Sequence, residues 1–318
     1  MPKIGDSIVK WICAGALALA LAAQASAQPP APRLVVFGDS LSDPGNAFAL
    51  VGGTNTPPDY SVDFFFVPSQ PYARGGHHFT NGDTWIELLA RARGLNANAQ
   101  PAFRSNAPGA ANYAIGGARA RDDGSFTSLS RQVDAFLGDA GGVAPGAALY
   151  VVEVGGNDIR DIAQTQDPSL ATAALAAIQA NIVRLYGAGA RTFLVWNAPK
   201  VAATPAIRIA DAVIPGTAAA VDFVTLQYNA GLAQVLAGLQ AALPGVKFVR
   251  YDVYANLAAI VASPATFGLT NVTDPCIRPN LAPFFCQTPR TYLFWDGIHP
   301  TETVHQIIAD QVGQLLGP

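Results

Sequence analysis

Short unbroken apolar runs alternate along this chain with longer stretches whose apolar residues recur every three or four positions. The runs are Leu34–Phe37, Ala110–Ile115, Ala148–Val154 and Arg191–Trp196, and Lys247–Tyr251 reads as a further strand. Their length and character predict strands, most of them buried on both faces. The longer stretches predict helices over Asp83–Ala92, Leu129–Leu137, Ser169 to about Gly187, Thr217–Leu243 and Asn256–Val261. In the first, Trp85, Leu88, Leu89 and Ala92 share a face, and Gly94 is its stop. In Thr217–Leu243 the buried side carries Val221, Val224, Leu232, Val235, Leu236 and Leu239. Pro300 suits the first position of a last helix bearing Val304, Ile307, Ile308, Val312 and Leu315. Strands alternating with helices at this spacing predict an α/β fold, a central parallel sheet covered on both faces. With no linker and no internal repeat, residues 28–318 read as a single domain. One stretch breaks the alternation. Asp43–Asn81 is rich in Pro and Gly and carries Tyr60, Phe64, Phe65, Phe66 and Tyr72. Loops of this length inside a compact domain are usually functional or mobile.

The first residues read as a secretory leader. Lys3 and Lys10 give a positive start, Trp11–Ala23 is apolar, and Ala25-Ser26-Ala27 is an A-x-A cleavage site. Residues 1–27 are therefore expected to be a cleavable signal peptide, and the mature chain from Gln28 to be secreted or periplasmic. The apolar stretch is short for a transmembrane helix, and no comparable run follows. Without Lys3, Lys10 and Asp6 the chain has 17 basic and 21 acidic residues. That balance argues against a nucleic-acid partner, which needs a basic face. Only Lys200 and Lys247 remain as lysines, so a polybasic membrane anchor is not expected either. Cys13 lies inside the leader, ahead of most of the apolar run, which discounts lipid attachment. Cys276 and Cys286 remain, an even pair that favours a disulfide in an exported protein. Two cysteines without a nearby histidine make a poor zinc site.

Polar groups collect at the ends of the predicted strands. Gly38-Asp39-Ser40 follows the first, Gly116-Gly117 the second, and Gly155-Gly156-Asn157-Asp158 the third. Asp296 and His299 stand just before the last helix. Serine hydrolysis needs a nucleophile, a base, a group that orients the base, and donors for the oxyanion. Ser40, His299 and Asp296 fit the first three roles. The Asn157 amide and the backbone N–H groups of Gly117 and Ser40 fit the last. Asp39 and Asp158 read as braces for their turns. His77 and His78 are flanked by a glycine pair and read as a solvated loop, not a metal site. The chain has no G-x-S-x-G elbow, no Walker A loop and no dinucleotide-binding glycine fingerprint.

Val36-Phe37-Gly38-Asp39-Ser40-Leu41-Ser42-Asp43, Asn112-Tyr113-Ala114-Ile115-Gly116-Gly117-Ala118, Gly155-Gly156-Asn157-Asp158 and Asp296-Gly297-Ile298-His299-Pro300-Thr301 occur in that order. They resemble the four blocks of the GDSL lipases/esterases, within the SGNH hydrolase superfamily. Phe79-Thr80-Asn81-Gly82, ahead of a Trp-bearing helix, is similar to the secreted lipase branch. The resemblance implies a flavodoxin-like three-layer α/β/α sandwich, esterase or lipase activity, and neither metal nor organic cofactor. It implies Ser40 as nucleophile, His299 as base, Asp296 as its orienter, and Gly117 with Asn157 in the oxyanion hole. Gly116 remains the alternative to Gly117. The chain stops soon after its last helix, unlike members that carry a C-terminal outer-membrane barrel. A freely exported enzyme is expected. Two alternatives stay open: phospholipid acyl transfer or phospholipase action at the same site, and a non-catalytic binding module. Phe64, Phe65 and Phe66 are candidates either for the wall of an acyl pocket or for a fixed cap. Acyl length, alcohol preference and oligomeric state are not determined by these residues.

Overall fold

The computed structural model describes residues 33–104 and 107–317. The leader expected at residues 1–27 lies outside them. The described residues fall in one unit, Pro32–Pro318.

Four of the apolar runs form parallel strands, β1 (Leu34–Gly38), β2 (Leu149–Glu153), β3 (Thr192–Trp196) and β4 (Lys247–Tyr251), side by side in that order. The helices up to the second strand are α1 (Asn46–Val51), α2 (Trp85–Ala92), α3 (Asn96–Ala99) and α4 (Leu129–Asp139). Then come α5 (Gly156–Thr165), α6 (Ser169–Ala188), α7 (Pro205–Val213), α8 (Thr217–Ala242), α9 (Val253–Ala262) and α10 (Glu302–Leu316). Val35, Phe37, Tyr150, Val152, Phe193 and Val195 face one apolar layer, with Phe136, Ile182 and Leu236 of α4, α6 and α8. Leu34, Val36, Val151, Leu194 and Trp196 face the other, with Ile86, Ile260 and Ile308 of α2, α9 and α10. Successive side chains of a strand alternate between faces, so burial on both sides explains the unbroken runs. The architecture is a three-layer α/β/α sandwich.

Ala110–Ile115 departs from expectation. It lies parallel along the free edge of β1, with Tyr113 N–H donating to the Val36 carbonyl at 2.8 Å and Ile115 N–H to Gly38 at 3.1 Å. It forms an isolated bridge and not a strand. The cause is one buried side chain. Gly38 N–H, which would continue the parallel ladder, donates to Gln132 Oε1 at 2.9 Å, and Gln132 Nε2 donates back to the Gly38 carbonyl at 2.8 Å. Pairing therefore stops just short of the serine turn.

Pro300 also departs from expectation, since Thr301 caps α10 and the helix begins at Glu302. Pro300 is held in a bridge to Phe294, and its carbonyl accepts from Thr80 Oγ1 at 2.8 Å. Helix α5 was not visible as a period because it begins inside the glycine turn. Gly155 has φ +124°, and a Cβ there would meet Tyr228 Oη at 2.6 Å, so only glycine fits. A second small sheet, β5 (Asn271–Pro275) with β6 (Tyr292–Phe294), was likewise unanticipated. It frames the cysteine loop, where Cys276 and Cys286 are joined, and Ile277 N–H donates to the Trp295 carbonyl at 2.9 Å. The bridge thereby ties its loop to the residue preceding Asp296. Replacing both cysteines by alanine should lower the unfolding free energy by about 2–3 kcal/mol in a urea titration.

At the start of α2, Glu87 Oε2 accepts from Thr84 N–H at 3.0 Å and from Thr84 Oγ1 at 2.7 Å, a capping pair. The same oxygen lies 3.1 Å from Nε2 of buried His78. Burial alone would lower the histidine pKa, but the Glu87 hydrogen bond and charge, helped by Asp43 and Asp83, push it up to about 9. A pKa above the ordinary 6.5 means that the folded chain favours the imidazolium. The resulting stability is fully present below about pH 6.5 and is lost as pH rises through 9. Melting temperature should therefore fall between pH 7 and 10, with a loss on the order of 2–3 kcal/mol, and His78→Gln should level that slope.

Candidate active site

Ser40 sits two residues beyond β1, on a turn closed by Ser42 N–H donating to the Asp39 carbonyl at 3.2 Å. His299 arrives from the far end of the chain and places Nε2 2.8 Å from Ser40 Oγ. Its Nδ1 lies 2.7 Å from Asp296 Oδ2. An ionised carboxylate can only accept, so Nδ1 carries the proton and Nε2 is free to accept from the serine hydroxyl. Asp296 is wholly buried, at 0% exposure. Its Oδ1 accepts from Ile298 N–H and His299 N–H, both at 2.8 Å, which folds the short turn around the carboxylate. Tyr72 Oη donates to Oδ2 at 3.1 Å. Phe79 packs its ring 5.4 Å from the imidazole.

The Asp296–His299 turn is also held from outside. Gly297 N–H donates to the Phe66 carbonyl at 2.8 Å, and Ala206 N–H donates to the Gly297 carbonyl at 2.9 Å. A Cβ on Gly297 would fall 2.0 Å from the Phe65 carbonyl oxygen. The phenylalanine loop thus meets the site through its backbone. Phe64 is 72% exposed and stacks edge-on with Phe65 at 5.3 Å. Phe66 is packed among Tyr60, Tyr72 and Trp295. None of the three rings lines the cavity at Ser40.

The second and third strand ends bring further donors. Gly116 N–H donates to Asp43 Oδ2 at 2.8 Å, so it is already engaged. Among the described residues, the N–H groups of Gly117 and Ser40 have no protein acceptor. Gly117 has φ +81°, a conformation suited to glycine. Asn157 is fixed on three sides. Its Nδ2 donates to the Ala118 carbonyl at 3.0 Å and, with a longer bond of 3.3 Å, to Asp39 Oδ2. Its Oδ1 accepts from Arg160 Nη1 at 3.2 Å, which sets the orientation of the amide. Asp39 braces its own turn as expected, accepting from Leu41 N–H at 3.0 Å, whereas Asp158 reaches across to accept from Ala120 N–H at 2.7 Å and Arg121 Nη1 at 2.9 Å.

Below the serine turn lies a buried acid pair that sequence reasoning missed. Glu153 Oε2 accepts from Ser42 Oγ at 2.8 Å and from Asp39 N–H at 3.4 Å. Ser42 Oγ in turn accepts from Trp85 Nε1 at 2.9 Å. Burial pushes Asp39 up to about 6 and Glu153 well above the ordinary carboxylate range, the neighbouring Asp39 charge adding to the latter. Elsewhere, His78, Asp83 and Glu87 bring ligand-type atoms within 4.8 Å of one another. Those groups serve each other and the helix instead, since Asp83 pairs with Arg91 and Glu87 caps α2. His305, to which no role was assigned, is buried and accepts from Trp85 N–H at 3.2 Å. Burial lowers its pKa to about 3, so it serves the fold as a neutral acceptor.

A model of the GDSL-like lipase/acylhydrolase family matches residues 34–312. The chain belongs to this family. It is a carboxylic-ester hydrolase. A GDSL esterase/lipase of Arabidopsis thaliana is 27% identical over 327 residues, covering 88% of this chain and 85% of the plant protein. A second from the same plant is 28% identical, over 87% of this chain and 85% of its own. The thermolabile hemolysin of Vibrio parahaemolyticus is 24% identical over 88% of this chain, which spans 62% of the hemolysin. Among solved structures, the Bacillus subtilis protein YxiM is similar at a TM-score of 0.43 and 14% identity, over 91% of this chain. The chain spans 56% of that protein's length. In no helix of the described residues is there the length and apolarity to cross a membrane.

Because Gly297 leaves no room for a methyl group against the Phe65 carbonyl, Gly297→Ala should push the histidine turn off the serine. A displacement of about 1 Å is worth on the order of 100-fold in rate, so ester turnover should fall at least tenfold by that standard. Phe66→Ala keeps the backbone bond to Gly297 and should retain most of that turnover. Equal losses in the two variants, measured as kcat, would show that the ring and not the backbone contact holds the turn.

Proposed function

We propose that this hydrolase is an exported serine esterase or lipase that works through an acyl-enzyme on Ser40. The observation that carries the reading is the hydrogen-bonded chain from Ser40 Oγ through His299 to buried Asp296. Ser40 Oγ attacks the ester carbonyl while its proton passes to His299 Nε2. Asp296 stabilises the imidazolium that forms and does not take the proton itself. Negative charge develops on the carbonyl oxygen, where the N–H groups of Ser40 and Gly117 and the Asn157 amide meet it. The long Asn157–Asp39 bond is the one the amide exchanges for the oxyanion. His299 then gives its proton to the departing alcohol, and water repeats the sequence to release the acid. The chemistry calls for no cofactor, and the substrates are esters or lipids.

Export rests on Lys3, Lys10, the apolar run and the A-x-A site, supported by a disulfide of the kind kept in oxidising compartments. A fluorophosphonate probe should label wild type at Ser40 and leave Ser40→Ala unlabelled. Ser40→Ala and His299→Ala should each lower kcat by roughly 10³ or more, with unchanged melting temperature. A variant that keeps a tenth of the wild-type rate, against that scale, removes its residue from the mechanism.

A further inference from the structure

Two cavities share a wall next to Ser40. The first holds Ser40 and His299 and is bounded by Leu41, Pro199, Thr204 and Ile298. Those same four residues form the near wall of a second cavity, which runs inward between α9 and α10 to Leu257, Ile260, Val304 and Ile308. Leu41 directly follows the nucleophile and Ile298 directly precedes the base, so the shared wall is fixed to the reacting groups by one peptide bond on each side.

The chemistry of the inner cavity is aliphatic. Its two polar side chains are occupied elsewhere. Thr204 Oγ1 donates to the Val201 carbonyl at 2.8 Å. Asn256 donates to Tyr251 Oη at 2.8 Å and accepts from Gln311 Nε2 at 2.9 Å. None of the buried side-chain atoms that lack a hydrogen-bond partner belongs to this cavity. A water there would find no partner, and apolar cavities of this kind stay dry. Dry space within a close-packed core is unfavourable unless something fills it. Here that space shares the wall of Leu41, Pro199, Thr204 and Ile298 with the cavity that holds the serine.

We propose that the inner cavity is the acyl-chain site, which takes the saturated tail of the ester whose carbonyl carbon is bonded to Ser40. The proposal rests on the Ser40 reading above. It assigns chain-length selection to α9 and α10 and not to the rings of Phe64, Phe65 and Phe66, which lie outside both cavities. Arg160, Asn157 and Gly156 line the outer cavity alone, so the polar side of the cleft is left to the alcohol. The inner space is ≈ 50 Å³. At about 10–15 Å³ for each water-sized group, it holds roughly three to five carbon atoms beyond those nearest the carbonyl. Ile260 and Ile308, both buried, line it.

The test is kcat/KM for p-nitrophenyl esters from acetyl to dodecanoyl. Wild type should climb from acetyl to about hexanoyl, by up to about fourfold per methylene, and decline by dodecanoyl. Ile260→Phe fills the cavity and should erase the climb while acetyl-ester turnover stays within about twofold, a change too small to be a lost methylene contact. Ile308→Ala enlarges the cavity and should move the optimum to longer chains; it decides the matter alone if the first variant does not fold. An ethyl fluorophosphonate, too short to reach the inner cavity, should label Ser40 in all three proteins. Failure of that labelling in wild type overturns the Ser40 reading itself. Labelling with a flat wild-type profile, or with a profile that neither variant alters, overturns the acyl site and leaves the serine mechanism standing.

Discussion

A carboxylate removed from water must find its hydrogen bonds inside the protein, and Asp296 finds four. Two come from the backbone of its own turn, one from His299 and one from Tyr72. An ionised group buried without such partners is strongly destabilising. The same satisfaction fixes the imidazole tautomer, because the only proton available between Asp296 and His299 must sit on Nδ1. Folding and chemistry therefore depend on a single constraint. The surrounding contacts follow from it: the Phe66 carbonyl on Gly297, Thr80 on the Pro300 carbonyl, and the disulfide-bearing loop on Trp295. Each helps immobilise the segment that carries His299.

The serine side is organised by a different balance. Gln132 takes the Gly38 amide away from the sheet, and Glu153 with Ser42 and Trp85 supports the next residues from below. Burial is what makes Asp39 and Glu153 both hold their protons more tightly than usual, with the Asp39 charge adding to the shift of Glu153. Asp39 links this pair to Asn157 through the longest bond the amide makes. The support for Ser40 and the support for Asn157 are thus one network.

Polarity divides the cleft. Asn157 and Arg160 stand on one side of Ser40, while Leu41 and Ile298 lead on the other into aliphatic core between α9 and α10. An ester has the same division, a polar linkage carrying an apolar tail. A site of this shape needs no separate aromatic lid to recognise it, and the exposed Phe64 is accordingly free of the cavity.

Much of this was legible in the sequence. The runs at Leu34, Ala148 and Arg191 read as buried strands because they are too short for helices and end in glycine or polar turns. Glycines and short polar residues at the ends of the first two marked where the backbone turns and drew attention to Ser40 and Asn157, while His299 stood out beside Asp296 ahead of the last helix. The cysteine pair was readable from its isolation. What the chain could not display were contacts between residues distant along it. Tyr72 reaches Asp296 across 224 positions, and nothing local to either residue announces the bond. Nor could the sequence show that Asp43 folds over to accept from the Gly116 amide, which leaves the Gly117 amide as the free candidate of the pair. The strand expected at Ala110–Ile115 was cut short by Gln132, 94 residues beyond the glycine it holds. Local patterning fixes which face of an element is apolar and where a turn must fall, since those depend on neighbours in sequence. Which hydrogen-bonding group is left free, and where unfilled space remains, depend on how separate elements pack, and the tertiary structure alone decides them.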